Sequence, residues 1–326
     1  MPAPVDAGIR APRRSTTARW AAVAAFALVL LAGGTFGVSL ATRGTGELHI
    51  PEAGVATLLR TVVFAAFGVL LGEQIGTRHA RAAVPDLPAP RPWSRAAALV
   101  GAAATAGLLL RLGAVNGLGM SAAYDMREGR LLLVTANAFV LTALLHRSRW
   151  ALLPLAAAVV AEAMRAHPEP YAPEIGVALT VVHLTAASLW CGGLLYVLRA
   201  THLNRRFPAS VRPLLARYAR VAVWLLAALA ATGTLSTLRR LPPDVILTSG
   251  YGRTLILKLA LVGVVCVLAL AARFRLHRAP ADSRTTARTE LFALGAVALV
   301  SAVLTVVPDP TWLTPLVPGP DWLTGG

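Results

Sequence analysis

Nine apolar runs separated by polar, proline-rich or arginine-rich links leave this chain one kind of structure to adopt. The runs are Trp20–Thr42, Gly54–Gly76, Ala96–Val115, Leu131–Leu145, Trp150–Arg165, Ile175–Leu198, Tyr218–Leu238, Thr254–Ala272 and Thr289–Val307. Most approach the roughly 20 residues that a helix needs to cross a hydrocarbon core about 30 Å thick. Inside lipid every backbone N–H and C=O must be satisfied within its own segment, so each run is expected as a helix. The expected fold is therefore all-α, a polytopic membrane helical bundle of about nine transmembrane helices. Leu131–Leu145 and Trp150–Arg165 are short for such a core.

The polar residues support the same reading. Hydrophobic residues make up 56% of the chain and charged ones only 14%, which excludes an ordinary soluble globular protein. Basic residues number 31 against 15 acidic ones, and all but Lys258 are arginine. A nucleic-acid-binding face would gather them on one folded polar surface, whereas here they fall between apolar runs, as topology signals do. Nucleic acid is thus excluded as a partner, and the lipid bilayer is the expected one. Counted link by link, 21 arginines fall on one side of the nine runs and 7 on the other. By the positive-inside rule the N-terminus is cytoplasmic and the C-terminus extracytoplasmic, in a multi-pass protein of the cell membrane.

Four regions follow from this layout. Residues 1–19 are a basic cytoplasmic tail, 20–149 an N-terminal membrane region of about four helices, 150–307 a membrane domain of about five, and 308–326 a proline-rich extracytoplasmic tail. Trp20–Thr42 is read as a retained helix, since its apolar core is longer than that of a signal peptide. Arg13-Arg14 is followed by Ser15, Thr16 and Thr17, where a twin-arginine signal would carry large apolar residues.

Within the sixth run, Ala178–Leu198 carries a histidine near its middle and then Trp190-Cys191-Gly192-Gly193. No side chain between Ile175 and Leu198 is formally charged. His183 lies about 13 Å inside this helix at 1.5 Å per residue, and an ionisable group at that depth marks a functional site by default. The bland alternative is a helix-to-helix hydrogen bond. His183, Ala187, Trp190 and Cys191 follow one another at helical spacing and share a face. Trp190 is too deep for an interfacial anchor and either walls a cavity or packs. Gly192 and Gly193 allow a neighbouring backbone close approach. Cys191 is either a third soft ligand or a small hydrophobe.

On the expected outer side lie His49, Met120, Met126, Met164 and His167, with His183 below them. Neutral imidazole and thioether together suit a soft monovalent copper ion, which needs few ligands. Each residue also has a structural explanation. Met120 and Met126 could pack in their loop, His49 could be solvated, and His167 before Pro168 could end a helix. Glu162 against one of the arginines would neutralise an outer vestibule, while Arg111 and Lys258 fit either that role or snorkelling. No nucleotide loop, nucleophile elbow, carboxylate pair or His-Glu metalloprotease motif occurs, so the chain is read as a non-enzyme.

From about Ala161 onward the chain resembles the copper resistance D (CopD) family of integral membrane proteins. The resemblance rests on His167, HLTAASLWCGGL from His183 and RYARVAVWLLAALAATGTL from Arg217. It rests further on SGYGRTLILKLAL from Ser249 and on Glu290 with the last apolar run ending at Pro308. It implies copper uptake, homeostasis or resistance at the inner membrane, with His167 and His183 as metal contacts and Cu(I) as the favoured ion. Some relatives carry a fused extracytoplasmic copper-binding domain that these residues do not include, so delivery is expected from a separate extracytoplasmic copper chaperone or as free ion. Two alternatives stay open. One is a haem-binding membrane electron-transfer protein with histidine axial ligands. The other is an assembly factor that delivers copper to cuproenzymes without importing it.

Overall fold

The computed structural model describes residues 16–47, 50–165, 172–204, 208–241, 245–278 and 283–308. Ten α-helices account for nearly all of them: α1 (Thr16–Ala41), α2 (Ala53–Ala83), α3 (Ser94–Asn116), α4 (Met120–Asp125), α5 (Arg127–Leu144), α6 (Leu152–Arg165), α7 (Pro173–Leu203), α8 (Pro208–Arg240), α9 (Gly250–Arg278) and α10 (Ser283–Leu304). No strand occurs among the described residues. All nine apolar runs are helical, and α4 is an added short helix in the loop that carries Met120 and Met126.

Six helices contain a stretch long and apolar enough to cross a membrane: α1, α2, α3, α7, α8 and α9. The expected number of nine spans is therefore not established. The reasons are physical. Helix α6 has 14 residues, about 21 Å of rise. Helix α5 opens with Arg127, Glu128 and Arg130 within its 18 residues, and the apolar part of α10 is confined to Leu291–Leu304. Conversely, α7 extends to Leu203 and α8 starts at Pro208, so much of the basic stretch after Leu198 is helical rather than a link. Pro173 opens α7, where its missing N–H would have no partner in any case, whereas Pro213 lies inside α8.

Helix α7 is shared by two layers. On one side, Phe67 and Leu70 of α2, Leu108 of α3, Phe139 of α5 and Leu155 of α6 form a buried core that Val181, Leu184 and Leu189 of α7 join. The Phe67 and Phe139 rings lie 5.0 Å apart. On the other side, Trp190 and Leu194 pack with Val265 of α9 and Leu294 of α10. Two smaller clusters mark opposite ends of the bundle. Val38, Leu241, Tyr251, Leu255, Val303 and Val307 gather at one end, and Ala80, Tyr196, Ala200 and Leu214 at the other.

Large apolar side chains such as Trp224, Leu238, Leu144 and Val267 are exposed on the outer faces of the helices. In water such a surface would drive association, whereas in a bilayer it is the wetted face.

Candidate metal site along helix α7

Helix α7 spans about 46 Å over its 31 residues, more than the hydrocarbon thickness. His183 sits a third of the way along and is partly buried against α8. Its Nδ1 lies 2.9 Å from Thr232 Oγ1, and the Thr232 hydroxyl in turn donates to the Ala228 carbonyl at 2.7 Å. The α8 backbone at Gly233 lies alongside the ring, where an added Cβ would stand 3.6 Å from His183 Cε1, an ordinary van der Waals contact. The charged side chain whose field reaches His183 is Lys258 of α9, itself partly buried and without an ion-pair partner among the described residues.

Below His183, Trp190 is buried and accepts a hydrogen bond at its carbonyl from the Tyr218 hydroxyl at 2.9 Å. Its indole N–H has no partner among the described residues. Cys191 is a free thiol beside the apolar cluster of α7, α9 and α10. Gly192 meets the backbone of Gly68 and Gly72 in α2, and Gly193 faces the Tyr218 ring. Further along the same seam Gly72, Gly76, His79, Gly193, Leu214 and Tyr218 line a cavity between α2, α7 and α8.

The outer candidates fall in two groups. His49 and His167 lie outside the described residues. Met120 and Met164 are exposed, whereas Met126 is half-buried against the core of α2, α3, α5 and α6. The segments that carry Met126 and Met164 are stapled together. Arg127 donates to the Met164 carbonyl at 2.8 Å, and Arg165 pairs with Glu128 at 3.0 Å. Glu162 is buried and held by Arg165 at 2.8 Å, while Arg60 of α2 approaches Glu128 at 3.8 Å and donates to the Thr305 carbonyl. Glu162 is thus a counter-ion whose oxygens are already occupied. Among the described residues no three His, Cys, Asp or Glu side chains gather into a metal-binding group.

Residues 212–307 match the family described as Copper resistance protein D. Over that stretch, under a third of the chain and here called the CopD segment, the chain is similar to this family. No curated protein and no solved structure matches the chain. The CopD segment begins within α8 and ends just past α10, so it contains Thr232, Gly233 and Lys258 but not His183. The resemblance read from Ala161 thus reaches further toward the N-terminus than the match does. With the apolar helices, the CopD segment supports a multi-pass membrane protein of copper resistance or transport.

Two features of this site escaped the sequence reading. Thr232 sits in a run of small residues, ALAATGTLST, with nothing to separate it from Thr234 or Thr237. His79 was passed over as part of a cytoplasmic link. Its only signal was position, three residues past Gly76 in the Gly68, Gly72, Gly76 series.

Proposed function

We propose that the protein carries copper across the membrane toward the cytoplasm. Cu(I) is captured by the outer methionines with His49 and His167, passes to His183, and leaves through the cavity that holds His79. The observation that carries this reading is the seating of His183, the one histidine deep in an apolar helix, on Thr232 of the CopD segment. The 21 to 7 arginine split supports a cytoplasmic N-terminus and hence an inward path. The ion favoured is monovalent. Imidazole and thioether are neutral, soft ligands, and a divalent ion in the field of Lys258, which pairs with no carboxylate among the described residues, would carry a far larger desolvation cost. The activity proposed is transport rather than catalysis. Ion delivery falls to an extracytoplasmic chaperone or to the free ion.

Copper accumulation in cells expressing wild type or His183→Ala tests the reading. Loss of copper-dependent uptake in a variant that still inserts is the expected result, and wild-type uptake would overturn it.

A further inference from the structure

A histidine offers a metal only the ring nitrogen that does not carry the proton, so a ligand role for His183 depends on its tautomer. Two hydrogen bonds constrain it. The Thr232 hydroxyl has a single proton, and its strongest acceptor is the Ala228 carbonyl at 2.7 Å, with the Leu229 carbonyl more distant at 3.4 Å. An oxygen that has given its proton to the helix can only accept from His183 Nδ1 at 2.9 Å. The imidazole proton is then on Nδ1, and the lone pair is on Nε2.

The opposite arrangement is worse on two counts. Were the hydroxyl turned to donate to Nδ1, the proton would move to Nε2, which has no hydrogen-bond partner among the described residues. In an apolar membrane interior an N–H without an acceptor costs more than an idle lone pair. The charged neighbour, Lys258, is donor only and offers that N–H nothing. Nε2 also remains reachable. Among the described residues the sealed side-chain atoms without a partner are Glu47 Oε2, Arg60 Nε, Arg111 Nε and Trp190 Nε1, and His183 Nε2 is not one of them.

We infer that Thr232 is a positioning residue that holds His183 as the Nδ1–H tautomer and so presents Nε2 as the atom that meets copper. The inference rests on the copper reading above. It assigns Thr232 the part that a carboxylate or carbonyl plays behind most metal-binding histidines, orienting the ring through its second nitrogen.

The full-length protein in lipid nanodiscs, with ¹⁵N-labelled histidine, provides the test. His183 is assigned by difference from His183→Ala. In metal-free wild type its resonances should report Nδ1–H. In Thr232→Val, which keeps the shape and removes the hydroxyl, they should report mixed tautomers, with Cu(I) affinity lower by about 10- to 100-fold. Thr232→Ser should restore both. An Nε2–H signature in wild type overturns the inference without any variant, as does wild-type Cu(I) affinity in a folded Thr232→Val. If His183→Ala itself binds Cu(I) as wild type does, the copper reading fails first. If His183→Ala loses binding while Thr232→Val keeps it, only the role of Thr232 fails.

Discussion

Gly192 of α7 rests on the carbonyl of Gly68 in α2 so closely that a methyl group on Gly192 would overlap that oxygen. Gly72 meets Gly192 on the same face, and Gly76 meets the Tyr196 ring one turn further on. Glycines four residues apart present a flat strip of backbone, and α7 lies in it. Between helices in lipid, where no hydrophobic force distinguishes helix from solvent, such close packing supplies much of the association.

Enlarging this contact should separate α2 from α7. Gly192→Leu is expected to destabilise the bundle by on the order of 1–3 kcal/mol or more, as overpacking does. Gly263→Ala on α9, where an added Cβ meets nothing within 4 Å, should leave stability unchanged. Thermal unfolding in detergent measures both, and equal midpoints for the two variants would refute the role of the strip.

A second fixed point lies beside the strip on the same helix pair. Glu73 accepts from the backbone N–H groups of Trp93 and Ser94 at the start of α3, and Arg199 of α7 pairs with it at 2.5 Å. The Arg199 guanidinium stacks 3.7 Å from the Trp93 ring centroid. One carboxylate thus ties α2, α3 and α7. Arg199→Ala leaves Glu73 desolvated without its counter-charge and should cost about 3–5 kcal/mol. Arg199→Lys should recover only part, because an ammonium cannot make the planar stack. Recovery of full stability in the lysine variant would show that charge alone matters.

The Glu128–Arg165–Glu162 network predicts non-additive losses. Arg165 and Glu162 are nearly sealed, with 3% and 8% of their side chains exposed. Arg165→Met should destabilise strongly, since it strands a buried carboxylate. Adding Glu162→Gln should return part of that loss, giving a coupling energy of about 0.5–3 kcal/mol in the double-mutant cycle. Strict additivity would mean that the pair is not desolvated.

Outer capture by thioether predicts a concentration-dependent defect. Met126→Leu combined with Met164→Leu should lower copper uptake several-fold when copper is scarce and leave it near normal when copper is abundant. The swap from Met to Leu preserves volume, so folding should survive. Uptake assays across copper concentrations check this, and an equal loss at all concentrations would place the methionines elsewhere in the path.

Optical spectra separate the copper path from haem-mediated electron transfer. Purified protein should show no Soret band, and a haem-like spectrum that is lost in His183→Ala would favour the electron-transfer reading instead.

Much of this was legible in the linear chain because its cause is local. Hydropathy over about 20 residues reports the solvent of a helix, so the nine helices were found near their observed positions, together with the prominence of His183 and the close approach at Gly192. The number of spans was not, since α5, α6 and α10 are helices whose apolar parts are short, and helix formation alone does not require crossing. Glu162 meets an arginine because Arg165 follows three residues later, on the same helical face.

What the sequence by itself determined was the apolar character of the helices, the helices themselves and the place of His183 along its own, each of which depends on neighbours within a turn or two. The tertiary structure alone decided that His183 meets Thr232 across 49 residues, that Glu73 meets Arg199 across 126 and that Gly192 lies in the strip on α2. Which helix lies beside which is set by the shapes and hydrogen bonds of whole surfaces. A threonine among small residues becomes a histidine's partner only when α8 packs against α7.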